Sequence, residues 1–372
     1  MPKYYMPTTL LSGTGCVKRH ARHLIHGKKC MIVTGLKSAI MSGALDDVKE
    51  VLDTKGVEYE IYDKIKNYTG ISEIYELALL MKENNTEYII AIGGGTAIDA
   101  AKAAAVYATN DIEPMQIFEE NYENEPLTVV CVPTTAGTGS DTTQYVMMTL
   151  DDAHSKRSFG SPMCFPYATF LDSKYTETLP LEVTRNTALD ALSHSVESYL
   201  NLKASPFSDN VALEGIRLVG QCANALMTGE ITKEIREKLL IAASLGGMAV
   251  AHTGLNLVHA MGYQLTCDRN VAHGRANGSL LCEFIAWSAK ADVMRAVDVM
   301  DAFGTDLSSF KNFVDTIVPV DRDFVEEDIE LWLDNSIVDT VRDNCPRTVT
   351  REDERQIYIN ALINKDRKYT EW

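Results

Sequence analysis

"TEYIIAIGGGTAIDAAKAAAVYAT" (residues 86–109) changes rhythm once, at its three glycines. Ahead of them, 88–92 is an apolar run rich in isoleucine, the pattern of a strand covered on both faces. Behind them, alanine and other strong helix formers take over. A strand that turns through glycine into a helix is the repeating unit of an α/β fold, and the neighbouring sequence repeats it. "KKCMIVTG" (28–35) is a buried strand ending in glycine, and "ALDDVKEVLDTKG" (44–56) has helical spacing. "VEYEIYD" (57–63) alternates like a strand, and "GISEIYELALLMKENN" (70–85) is an amphipathic helix. "PLTVVCVPTTAGTGS" (126–140) and "YATFLD" (167–172) complete the series. This alternation predicts a Rossmann-like α/β domain, a parallel sheet covered by helices.

After "TETLPLEVTRNT" (176–187) the strands stop. Helical segments follow at 188–200, 208–227, 232–252, 274–303, 324–341 and 351–364, joined by linkers such as "KASPFS" and "NCPRT". The 372 residues therefore divide into an α/β domain, 1–179, and an all-α domain, 180–372, with the boundary between Leu179 and Pro180. A net charge of −17 argues against nucleic acid or an anionic membrane as partner. No run approaches the ~20 apolar residues of a membrane span. "MPKYYMPTTLLSG" lacks the charged-then-apolar pattern of a signal peptide. Eight scattered cysteines without a C-x-x-C read as reduced, mostly buried thiols, the expectation for a cytoplasmic protein.

Two loops carry a nucleotide signal. Gly93, Gly94 and Gly95 let backbone approach a pyrophosphate at the mouth of a helix, whose first N–H groups supply positive potential. Thr96 is placed to cap that helix or donate to phosphate, with Asp99 in its first turn. "VPTTAGTGSD" (132–141) also follows a strand and is dense in hydroxyls and glycine. Loops at the C-terminal ends of parallel strands form the ligand crevice of α/β folds. The plainer alternative is a pair of tight turns.

The metal signal lies in the second half. Asp190 and His194 are four apart on a helix and share a face. His259 sits in the helical run "LNLVHAMGY", and His273 precedes "GRANGSLLCEF". One carboxylate and three imidazoles make a first shell for a divalent transition metal, and a cation offsets the burial of ionisable groups in apolar surroundings. Each residue also has a plain structural reading as a helix-start charge, a surface group or a core histidine. His20, His23 and His26 stand among five cationic residues and read as a solvated basic helix face. His154 falls in a polar loop, and His252 is a further candidate facing the cleft.

The stretches "GGGTAIDAAK", "VPTTAGTGSD", "ALDALSHSVESY", "GLNLVHAMGY" and "AHGRANG" occur together and in order, and in this the chain resembles the iron-containing (group III) alcohol dehydrogenases. These are relatives of glycerol dehydrogenase and dehydroquinate synthase, and the likeness runs over essentially the whole chain. It implies a dehydroquinate synthase-like fold, a homodimer, and a metal between a dinucleotide-binding domain and a helical domain. By motif position the metal ligands fall on Asp190, His194, His259 and His273. The pyrophosphate loop falls on Gly93, Gly94, Gly95 and Thr96, with Asp99 near the nicotinamide. The second cofactor loop falls on Thr134, Thr135, Thr138 and Ser140, and Lys156 aligns with a lysine near the cofactor ribose. The implied activity is hydride transfer between NAD(P)(H) and a small primary alcohol or aldehyde, with Fe²⁺ as the metal and Zn²⁺ compatible with the same ligands.

Two departures from the family pattern stand out. Where many NAD-using members carry Asp, this chain has Gly35, followed by Lys37 and Ser38, which can bind a 2′-phosphate; NADP(H) is therefore expected over NAD(H). Tyr263 stands where many members have histidine, four residues after the third ligand, as a proton relay or a wall of the pocket. Other readings of the same scaffold are a dehydroquinate synthase-type lyase, a polyol oxidoreductase like glycerol dehydrogenase, and a non-catalytic nucleotide-binding protein. Arg269, Arg275 and Asn277 lie near His273, as contacts for an anionic substrate tail or as structural residues.

Overall fold

The computed structural model describes residues 4–66, 69–151, 156–317, 324–364, 367 and 369; His154 lies outside them. The chain forms two compact units, Met6–Leu179, and Pro180–Trp372 together with Met1–Tyr5.

The first unit is built on a six-stranded, wholly parallel sheet. Its strands are β1 (Thr9–Ser12), β2 (Lys29–Gly35), β3 (Glu58–Ile65), β4 (Tyr88–Gly93), β5 (Thr128–Pro133) and β8 (Ala168–Leu171). They lie in the order β1-β8-β5-β4-β2-β3. Continuous apolar runs in β2, β4 and β5 follow from burial on both faces. Met31, Val33, Ile89, Ala91, Val129 and Cys131 point to one core. Cys30, Ile32, Tyr88, Ile90, Ile92, Val130 and Val132 point to the other. Helices α4 (Ile71–Glu83) and α5 (Gly95–Thr109) cover the first core; α1 (Cys16–Arg19) and α3 (Ala44–Lys55) cover the second. Each Ile or Val fully buried this way contributes about 1.5–3 kcal/mol. A short helix, α2 (Ser38–Met41), follows β2.

Strand β1 and the antiparallel hairpin of β6 (Tyr145–Thr149) and β7 (Lys156–Gly160) were not expected from sequence. They are short and have at least one open face, so no long apolar run announces them. The expected basic helix face around His20, His23 and His26 is instead a four-residue helix and a 3₁₀ turn. There His26 packs edge-on against Tyr167, ring centroids 4.0 Å apart, and burial lowers its pKa.

The second unit consists of α6 (Leu181–Tyr199), α7 (Pro206–Thr228), α8 (Lys233–Thr253), α9 (Leu257–Arg269), α10 (His273–Ala289), α11 (Val293–Phe303), α12 (Leu307–Ile317), α13 (Glu326–Asp334) and α14 (Arg351–Tyr358). Helix α6 starts at Leu181, ahead of the expected helical segment 188–200. The helix expected over 274–303 is broken by Asp292, whose carboxylate accepts from the Met294 and Arg295 N–H groups and starts α11. Helix α13 is shorter than the expected 324–341, with 3₁₀ turns after it. Tyr4 and Tyr5 go with this unit: Tyr4 stacks on His252 at 3.9 Å, and the Tyr5 N–H donates to His252 Nε2 (2.9 Å). His252 Nδ1 faces the Met248 carbonyl at 2.7 Å, so both ring nitrogens are engaged and His252 is a structural residue, not a cleft ligand.

Lys102, on α5, is 1% exposed. Its Nζ donates to the Thr143 and Tyr145 carbonyls (2.7 and 2.9 Å) and lies 4.0 Å from Asp99 Oδ1. Lys102→Met removes both bonds and the cation beside a buried carboxylate, and should destabilise the protein by about 3 kcal/mol. Equilibrium denaturation reads the loss; a change under about 1 kcal/mol would show that the lysine is not structural.

Candidate functional site

In the sheet, the chain leaves β2 toward β3 and leaves β4 in the opposite direction toward β5. The reversal lies between the C-terminal ends of β2 and β4, where open α/β sheets bind ligands. Register pairs Thr34 with Ile92 and Gly93 with Pro133, so the loops after β2, β4 and β5 emerge side by side on one edge. Gly35 ends β2, the exposed Lys37 precedes α2, and Ser38 begins it. The Thr134 N–H donates to the Gly93 carbonyl at 2.9 Å. A Cβ on Gly95 would stand 2.7 Å from Thr138 Oγ1, and one on Gly94 3.0 Å from Thr135 Oγ1. Only glycine lets the 134–140 loop lie on the start of α5, so the two loops form one surface.

The N-cap of α5 is Gly94, not Thr96, and no side chain caps it. Thr96 lies within the first turn, where free N–H groups can meet a phosphate. Asp99 lies one turn further along and is buried. It accepts from the Met147 N–H at 3.1 Å and from the Ser140 side chain, bracing α5 against the second loop. Burial raises its pKa, against the pull of Lys102. Lys156 begins β7, exposed, within electrostatic reach of Asp99.

In the helical unit, α6 presents Asp190 and His194, α9 presents His259, and the first residue of α10 is His273. Asp190, His194 and His259 are buried, whereas the His273 side chain is 44% exposed and opens the cluster to solvent. Ligand atoms of Asp190, His259 and His273 all lie within 4.8 Å of one another. Asp190 Oδ1 is 3.6 Å from both His259 Nε2 and His273 Nε2. His194 joins by ring stacking on His259, centroids 4.6 Å apart. A Cβ on Gly274 would fall 1.8 Å from the Asn186 carbonyl oxygen, so α10 starts directly against the α6 backbone. That contact carries His273 to Asp190. Asn277, fully buried, bridges the pair: its Nδ2 donates to Asp190 Oδ1 and His273 Nε2, both at 3.2 Å.

Sequence reasoning missed Glu197. It is fully buried and accepts from the His259 backbone N–H (3.1 Å) and from His259 Nδ1. The signal was present, since Glu197 lies seven residues after Asp190 and three after His194, on the same helix face. With Nδ1–H given to Glu197, Nε2 is the nitrogen left to face inward, and it has no hydrogen-bond partner among the described residues. A divalent cation fits such a donor set: the buried carboxylate of Asp190, the inward Nε2 of His259 and two neighbouring imidazoles, with Glu197 behind the His259 ring. Burial opposes charge on His259, but Glu197 and Asp190 outweigh it and hold its pKa up at about 10. Burial likewise opposes ionisation of Asp190, yet His194, His273 and His259 hold its carboxyl well below the ordinary range.

Other candidates are placed elsewhere. Arg269 pairs with Asp328 and, at 3.1 Å, with Asp268. Arg275 pairs with Glu182 at 3.2 Å. Tyr263 is half-buried on α9, one turn beyond His259.

Residues 7–173 match the family model described as iron-containing alcohol dehydrogenase, and residues 184–362 match the C-terminal model of the Fe-containing alcohol dehydrogenase family. An iron-containing alcohol dehydrogenase from Thermotoga maritima, known from its crystal structure, is 32% identical, with a TM-score of 0.89 over 97% of this chain and 99% of its own. The NADPH-dependent butanol dehydrogenase of Clostridium saccharobutylicum is 27% identical over 86% of this chain and 82% of its own length. The NAD-dependent methanol dehydrogenase of Bacillus methanolicus is 28% identical over 97% of this chain and all of its own.

In metal-free protein at pH 8, His259 keeps its second proton, because its pKa is raised to about 10. Ligation needs the Nε2 lone pair, so Zn²⁺ uptake at pH 8 should release about one proton and weaken about tenfold per pH unit on acidification. Calorimetry in buffers of different ionisation enthalpy measures this; identical heats in all of them would refute it.

Proposed function

Because the chain belongs to the iron-containing alcohol dehydrogenases, we propose that Asp190, His194, His259 and His273 hold its metal and that it interconverts small primary alcohols and aldehydes with NADP(H) as preferred cofactor. The observation that carries this reading is the convergence of Asp190, His259 and His273 around the inward Nε2 of His259. Bound there, Fe²⁺ (or Zn²⁺) supplies Lewis-acid polarisation of an alcohol or carbonyl oxygen, and the nicotinamide supplies the hydride acceptor or donor. The chain's part is to hold and orient. Gly93, Gly94, Gly95 and Thr96 offer backbone N–H groups to the pyrophosphate. Thr134, Thr135, Thr138 and Ser140 supply hydroxyls, and Lys156 a cation for the ribose side. Asp99 keeps the two loops together. Tyr263 shares a helix face with His259 and is assigned the proton relay of the reaction.

The pairing of Arg269 with Asp268 and Asp328, and of Arg275 with Glu182, favours an uncharged substrate over the phosphorylated acid of a lyase. The eight free cysteines, seven of them buried, support a reducing compartment; a cytoplasmic homodimer completes the proposal, on family likeness.

The relatives include both NADPH- and NAD-dependent enzymes, so cofactor choice rests on Gly35, Lys37 and Ser38. A Cβ at Gly35 would meet the Ile65 carbonyl oxygen at 3.3 Å and Ser38 Oγ at 3.8 Å, which leaves room for a larger side chain after a slight shift. The wild type should favour NADPH over NADH in kcat/KM by about tenfold or more, and Gly35→Asp should reverse the order by adding a carboxylate that repels the 2′-phosphate. A wild-type preference for NADH would overturn the assignment. His194→Ala should abolish turnover and lower bound metal while NADPH binding, read by fluorescence, persists. Full activity in that variant would refute the metal site.

A further inference from the structure

We infer that Glu197 is the positioning residue that decides which nitrogen of His259 is left for the metal. The inference rests on the reading of Asp190, His194, His259 and His273 as ligands. Glu197 lies inside the helical unit with no exposed surface. Its two oxygens meet two different donors of one residue: Oε1 accepts from the His259 backbone N–H at 3.1 Å, and Oε2 faces Nδ1. The backbone donor anchors the carboxylate, because a peptide nitrogen cannot change role. The second oxygen then requires a proton on Nδ1, and the neutral ring is left with its lone pair on Nε2. Nε2 is the nitrogen that faces Asp190, at 3.6 Å. Glu197 thus selects a tautomer through a contact on the far side of the ring from the metal position.

Glutamine has the shape of glutamate but not its two acceptors. If its amide oxygen keeps the backbone N–H, its NH₂ group meets Nδ1 and can only donate. Nδ1 must then hold the lone pair, and the proton moves to Nε2, where it blocks the metal. If the amide flips, two N–H groups face each other. Aspartate keeps both acceptor oxygens but is one methylene shorter.

The two variants therefore separate hydrogen-bonding logic from packing. Zn²⁺ affinity, measured in competition with a chromophoric chelator, should fall in the order wild type, Glu197→Asp, Glu197→Gln, with the last weaker than wild type by about 10–100-fold. A role in packing only predicts the opposite order, since glutamine fits the space better; Glu197→Gln binding Zn²⁺ as tightly as Glu197→Asp or better would overturn the inference. A second measurement needs no Glu197 variant. In wild type labelled with ¹⁵N-histidine and loaded with Zn²⁺, the resonance missing from His259→Gln should carry its proton on Nδ1; a proton on Nε2 would overturn the inference as well. Failure of the underlying site assignment looks different, for then His194→Ala would bind Zn²⁺ as tightly as wild type.

Discussion

Two carboxylates buried on one face of α6 set the terms for the helical unit. Asp190 is 4% exposed and Glu197 is fully buried, on the same helix and two turns apart. Taking an anion out of water costs several kcal/mol unless partners compensate, and two of the same sign also repel. Compensation comes from His259, whose ring stands between them with Nδ1 on Glu197 and Nε2 toward Asp190. Asn277 adds a donor to Asp190. A side chain that must satisfy two buried anions at once has little freedom left, and the rigidity suits the ligand role proposed for His259.

Rigidity of this kind depends on how closely helices approach. A Cβ at Gly274 would overlap the α6 backbone, and one at Gly262 would lie 2.2 Å from Asn277 Oδ1. With larger residues the helices would stand apart, and groups that now meet across 3.2–3.6 Å would lose contact. Glycine inside a helix lowers intrinsic helix stability by about 1 kcal/mol relative to alanine. The sequence accepts that in α9 and α10 where these close contacts require it.

This tension explains what could be read in the sequence. Strands β2, β4 and β5 were legible because burial on both faces forces continuous apolar runs, and the glycines after β2 and β4 mark where a backbone must turn or be approached. Asp190, His194, His259 and His273 were legible because imidazoles in apolar company have few structural uses. Glu197 was passed over because its partner is reached across the fold, 62 positions along the chain. Of the two roles read for Thr96, capping is not taken: Gly94 holds the N-cap position without a side-chain bond, although side-chain capping is the common way to begin a helix. The break at Asp292 and the β6–β7 hairpin turn on local capping and short pairings, signals weaker than the helical and strand periods around them.

The overall charge sharpens the problem of binding a dinucleotide. At −17, the protein's far field repels an anionic cofactor. Yet screening limits that repulsion to about 8 Å at physiological ionic strength. Attraction must therefore be local, from groups that meet phosphate directly. The first turn of α5 offers N–H groups that carry no compensating acid, because its first turn holds no Asp or Glu. Asp99, the nearest carboxylate on that helix, is turned inward to Met147 and Ser140, and burial raises its pKa. An acidic chain can hold a polyanion only if the acids beside the phosphates are turned away or absent. At Gly35 the acid is absent, and at Asp99 it is turned away.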